Sequence, residues 1–150
     1  MRVLIQRVKQ ATVTIDGACK AAIGNGLLVL VGIEDADTET DALWLAGKIA
    51  GLRIFDDAHG VMNKSVVHTD GEVLIVSQFT LFALTAKGNR PSYMRAAKHE
   101  TAIPLYEKFC ALVSEKIGKQ VQTGTFAADM QVSLLNNGPV TIWMDSKNRE

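Results

Sequence analysis

The chain has 150 residues, 47% of them apolar and 21% charged. That is one domain's worth of an ordinary soluble globule, and it excludes a disordered tail, a collagen-like fibre and a disulfide-stapled mini-protein. Sixteen basic residues balance sixteen acidic ones, so no global charge draws the chain to nucleic acid or a membrane, and any polyanion must be held by a local patch.

The first third predicts strands. Residues 3–8 and 11–15 alternate, and Asp16-Gly17 signals a hairpin turn. Gly26 to Ile33 is a continuous apolar run, as expected of a strand covered on both faces. A helix follows, with Asp37 and Thr38 as N-cap oxygens, Asp41 placed for a capping box, and Leu45, Ile49 and Leu52 at helical spacing. Arg53-Ile54-Phe55 predicts a short strand and Asp56–Asn63 a polar loop. Asp70-Gly71 announces a second hairpin, and the strand beginning at Glu72 runs on into Ser77-Gln78-Phe79-Thr80-Leu81.

Residues 85–93 form a surface loop by their Gly and Pro. Ile103, Tyr106, Cys110, Val113 and Ile117 then step by 3, 4, 3 and 4, which predicts a helix closed by Gly118 with Pro104 in its first turn. The chain returns to strands at 120–123, 130–134 and 140–144, the last two separated by a turn at Asn136-Asn137-Gly138-Pro139. This order predicts a single α+β domain over residues 1–150, with two main helices on a curled, barrel-like, mixed or largely antiparallel sheet.

Cys19 and Cys110 lie far apart without metal-binding spacing and are expected as reduced thiols of a cytoplasmic protein. The first residues carry charge inside the apolar run and do not read as a signal peptide. No apolar run approaches the roughly 20 residues of a spanning helix, so no membrane partner is expected.

Chemistry has few anchors. His59, His68 and His99 are not paired at metal spacing and read as solvated surface residues. Gly24-Asn25-Gly26 reads as a turn, and Asp56-Asp57 as solvated turn residues. Two segments stand out. Ser77-Gln78-Phe79-Thr80 ends an apolar strand with three polar side chains; it is either an oxyanion-binding strand end or a strand emerging into solvent. Gly138-Pro139 reads as a trans hairpin turn from general X-Pro preferences. Charge is also uneven: net +4 over residues 85–119 and net −5 over 34–57. The basic stretch is a candidate phosphate-binding side or a solvated helix face.

Ser77-Gln78-Phe79-Thr80-Leu81 together with Asn136-Asn137-Gly138-Pro139-Val140-Thr141 resembles the paired SQFTL and NxGPVT motifs of the D-aminoacyl-tRNA deacylases, the D-tyrosyl-tRNA deacylase family. Ile5-Gln6-Arg7-Val8, Arg90-Pro91-Ser92, Gln122-Thr123-Gly124 and Phe126-Ala127-Ala128-Asp129-Met130 extend the likeness end to end. The resemblance implies hydrolysis of the ester joining a D-amino acid to the terminal adenosine of tRNA, and removal of glycine mischarged on the alanine tRNA. It implies a homodimer with active sites at the subunit interface, no metal or other cofactor, and no DNA partner. It implies that Gly138 and Pro139, with a cis peptide inserted from the partner subunit, form a gate whose carbonyls leave no room for an L side chain. By the same resemblance Ser77, Gln78 and Phe79 frame the site, with the Phe79 N–H as oxyanion donor. Arg7, Val140 and Thr141 support the gate, and Lys87 and Arg90 contact tRNA. Thr80 is the family's candidate nucleophile, but no base stands near it in sequence, and water assisted by the ribose 2′-hydroxyl is the expected attacker. A non-chiral esterase using Thr80 and a non-catalytic tRNA- or protein-binding module are the alternatives.

Overall fold

The computed structural model describes residues 1–150. The strands are β1 (Arg2–Ile15), β2 (Ala18–Ile23), β3 (Gly26–Gly32), β4 (Phe55–Asp56), β5 (Met62–Lys64), β6 (Glu72–Ser77), β7 (Gln122–Thr123) and β8 (Gln131–Asp145). The helices are α1 (Glu39–Gly51) and α2 (His99–Ile117), and a 3-10 turn covers Phe79–Phe82. The main sheet has the order β2-β1-β3-β6-β7, and β8 pairs with β1 as well. Pairing is antiparallel around β1 and parallel for β3–β6 and β6–β7, so the sheet is mixed. It curls until β2 comes back against β6 and β7, giving a nearly closed, barrel-like form.

Alternation along β3 explains the two cores. Leu27, Val29 and Val31 face α1 and α2, while Leu28 faces the inside of the curl with Val8, Ala11, Val13, Leu74 and Val76. Val8 and Ala11 share a face although they are three residues apart, because the β1–β8 register slips at Lys9 and reverses which side points inward. Gly26 lets β3 approach β6 closely: a Cβ there would lie 1.8 Å from the Glu72 carbonyl oxygen.

The helix signals are realised. The Asp41 carboxylate accepts the Thr38 backbone N–H at 2.9 Å, closing the capping box. Gly118 ends α2 at φ +73°. Asp16 and Gly17 both have positive φ in the β1–β2 hairpin, as an Asp-Gly hairpin turn requires.

Several expectations are corrected. Residues 131–134 and 140–144 belong to one continuous strand, β8, because Asn137–Val140 bulges outward rather than turning the chain back. Asp70-Gly71 starts no hairpin; β6 leaves it to run parallel to β3. The strand after Glu72 stops at Ser77, and the next residues coil into the 3-10 turn. The predicted loop 56–63 contains most of a small β4–β5 hairpin. Helix α2 starts at His99, so Pro104 lies in its second turn, on an exposed face.

Candidate active site

β6 delivers Ser77 opposite Val31, the last pair of the parallel ladder. The next N–H, from Gln78, still bonds the Val31 carbonyl at 2.7 Å before the chain bends. Phe79 then opens the 3-10 turn, where its N–H has no partner within the turn. This is how a strand end yields a free backbone donor beside two polar side chains.

Ser77, Gln78 and Phe79 form one wall of a cavity of about 880 Å³, a size suited to a small-molecule moiety. Tyr93 and the chain entering α2, including Lys98, His99 and Glu100, make the opposite wall, and Phe126, Ala127 and Met130 close it. The aromatic rings are braced edge to face: Phe79 on Tyr93 at 5.0 Å, and Phe126 on both His99 and Tyr106 at 5.6 Å. Behind this wall the Tyr106 hydroxyl donates to the Ile75 carbonyl at 3.0 Å. Burial pushes the neighbouring Cys110 thiol up to about 12.

Thr80 does not line the cavity. Its Oγ1 accepts a 2.5 Å hydrogen bond from the Gln78 side-chain amide. That amide nitrogen is a donor only, so it takes no proton from the hydroxyl.

The second motif lies elsewhere. On the β1–β8 ladder Gln6 faces Thr141 and Val8 faces Asn136. Asn137, Gly138, Pro139 and Val140 therefore arch out opposite the single residue Arg7. The Gly138-Pro139 peptide is cis, in place of the trans turn that general preference suggests. Arg7 is 7% exposed and fills the space under the arch. It donates from Nε to the Asn137 carbonyl at 3.1 Å and from Nη1 to the Ile54 carbonyl at 2.6 Å, with Asp56 Oδ1 at 3.4 Å. Gly138 has φ +120°, and a Cβ there would meet Arg7 Nη2 at 2.9 Å. Pro139 and Thr141 face outward.

The two motifs do not meet within one chain. Ser77 aligns through Val31 with Val3, four residues along β1 from Arg7 and three strands across from β8. Counted along the ladders, the two motifs are therefore four residues and three strands apart. Lys87 and Arg90 sit exposed on a loop whose base is tied by Leu84 and Ser92, close to Tyr93. His99, expected as a solvated residue, has its ring against Phe126 on the cavity wall. The sequence reading missed Tyr93, Lys98, His99 and Glu100 as cavity residues, and the one signal it held for this side was the basic, Pro-containing stretch that carries them.

The family described as D-Tyr-tRNA(Tyr) deacylase matches residues 4–145. A D-aminoacyl-tRNA deacylase of Phocaeicola vulgatus is 64% identical over the full length of both chains, and one of Flavobacterium johnsoniae is 62% identical over the same extent. A solved structure titled c-Myc DNA Unwinding Element Binding Protein superposes with TM-score 0.91 at 39% identity, over 97% of this chain and 98% of that one. A probable eukaryotic D-amino acid tRNA deacylase shares the fold, with TM-score 0.81 at 20% identity over 95% and 97% of the chains.

Proposed function

The chain belongs to the D-Tyr-tRNA(Tyr) deacylase family and, like its relatives, is a hydrolase of the aminoacyl-tRNA ester; we propose that it releases D-amino acids from tRNA and turns away L-esters at Gly138-Pro139. The observation that carries this reading is the separation of the two motifs on the sheet. A cavity walled by Ser77-Gln78-Phe79 lies open in one place, and a rigidly held backbone arch projects in another. A second copy of the chain brings the two together.

In that assembly the arch of one protomer caps the cavity of its partner, and each site is shared. The outer face of β8 supports this. Leu135 and Trp143 are half-exposed there, and β8 pairs only with β1, leaving an open sheet edge that folded proteins normally cover.

The terminal adenosine enters the cavity, where Phe126 offers its base an aromatic wall. Attack by water on the ester carbonyl carbon places negative charge on the carbonyl oxygen, which the Phe79 N–H receives. Collapse of the tetrahedral intermediate breaks the bond to the ribose oxygen. The proton lost by water passes through the neighbouring 2′-hydroxyl to that leaving oxygen. Positioning and a prearranged donor suffice for an activated ester, so Ser77 and Gln78 act by orienting substrate and water.

Selection falls to the arch. Main-chain carbonyls of Gly138 and Pro139 face the substrate Cα and occupy the volume an L side chain needs. A D side chain points away and meets nothing specific. Glycine has no side chain to exclude, so glycine mischarged on the alanine tRNA is also a substrate. Lys87 and Arg90 meet the tRNA backbone, and the expected compartment is the cytoplasm. No helix is long and apolar enough to cross a membrane.

The test is deacylation of matched D-tyrosyl- and L-tyrosyl-tRNA with a metal chelator present. Rapid loss of the D ester with the L ester intact is the expected result. Equal loss of both favours a general esterase, and tRNA binding without turnover favours a binding module.

A further inference from the structure

The arch has two feet, and they are tied to each other. Asn136 and Thr141 are the last β8 residues in register on either side of it. Their side chains meet across its base, Asn136 Nδ2 donating to Thr141 Oγ1 at 3.0 Å. This contact spans the four arched residues and is independent of Arg7, whose bonds go to Asn137, Ile54 and Asp56. Arg7 thus holds the arch from beneath, while the Asn136–Thr141 pair fixes the distance between its ends.

The choice of asparagine needs an explanation. Its Oδ1 is enclosed without a hydrogen-bond partner, which is unfavourable for a buried acceptor. An apolar side chain at a half-buried strand position carries no such penalty. What asparagine supplies is the donor on its other branch, and the one acceptor that donor reaches is Thr141.

We infer that Asn136 is a positioning residue of the gate, clasping Thr141 so that Gly138-Pro139 projects at a fixed height. The inference rests on the gate reading given above. Without the clasp the arch can spread at its base, its carbonyls withdraw, and L-esters gain access to the cavity they cap. The effect belongs to discrimination between enantiomers more than to turnover of the D ester.

The experiment compares kcat/KM for D- and L-tyrosyl-tRNA in Asn136→Ala, Thr141→Val, their double variant and Thr141→Ser, with Pro139→Ala as a gate control and a melting curve for each. Thr141→Val is nearly isosteric and keeps the test open if Asn136→Ala fails to fold. Each single variant is expected to lower the D/L ratio by about tenfold, the upper range for one net hydrogen bond. The double variant falls no further, and Thr141→Ser, which keeps the hydroxyl, retains the ratio. A ratio unchanged in both single variants while Pro139→Ala lowers it overturns the clasp and leaves the gate standing. Additive losses in the double variant also overturn it. A wild-type chain without enantiomer preference sinks the gate, and the clasp with it.

Discussion

The Thr80 hydroxyl is engaged by the Gln78 amide and touches no imidazole, carboxylate or amine. A threonine oxygen without a base is a poor nucleophile, and this one also lies outside the cavity wall. Thr80→Ser is therefore expected to keep full deacylation, and Thr80→Val to lower kcat/KM by about tenfold or less, in line with the loss of one orienting hydrogen bond. Single-turnover rates check this; a drop of several orders of magnitude with Thr80→Val restores the covalent mechanism. At this scale the sequence singled out Ser77, Gln78, Phe79, Gly138 and Pro139 because each lies in a motif, and the first three do line the cavity. It was a poor guide to His99, whose meaning comes from Phe126 across a cavity that no spacing rule encodes.

Helices were legible because burial of one face imposes a 3.6-residue period, visible in Leu45 and Ile49 and again from Tyr106 to Ile117. Strand β8 was not. Asn-Asn-Gly-Pro looks like punctuation, and only the register against β1 shows that the chain resumes the same direction after it. The first turn of α1 carries a pH dependence of its own. Burial works to raise the Asp41 carboxyl, but hydrogen bonds from Lys147, Ser146 and Thr38 outweigh it and hold the group well below the usual carboxylate range. A carboxylate depressed on folding contributes stability above its unfolded value near 4 and loses that contribution as pH falls toward its folded value. The melting temperature of Asp41→Asn should thus lie below wild type at pH 7, and the gap should shrink steadily below about pH 4. A gap that is constant with pH excludes this source of stability.

Seen as a whole molecule, the sheet holds the cavity and the arch on different parts of one rigid body, and the curl that separates them follows from β1 serving three neighbours at once. The mixed α+β class and the curl were legible from the order of elements; the parallel β3–β6 pairing was not, because Asp70-Gly71 mimics a hairpin. The distance between the motifs also has a genetic consequence. A chain crippled only in its cavity and a chain crippled only in its arch carry complementary lesions. In the proposed dimer, one interface of a mixed pair receives both defects and the other receives neither. Refolding Gly138→Ala chains with an equal concentration of Phe79→Pro chains should cut L-tyrosyl-tRNA hydrolysis per working cavity by about half, since random pairing places half of the working cavities in mixed dimers, under an intact arch. Phe79→Pro alone should be nearly inactive and Gly138→Ala alone should hydrolyse both esters, and an unchanged D/L ratio on mixing would place both motifs' contributions within a single subunit.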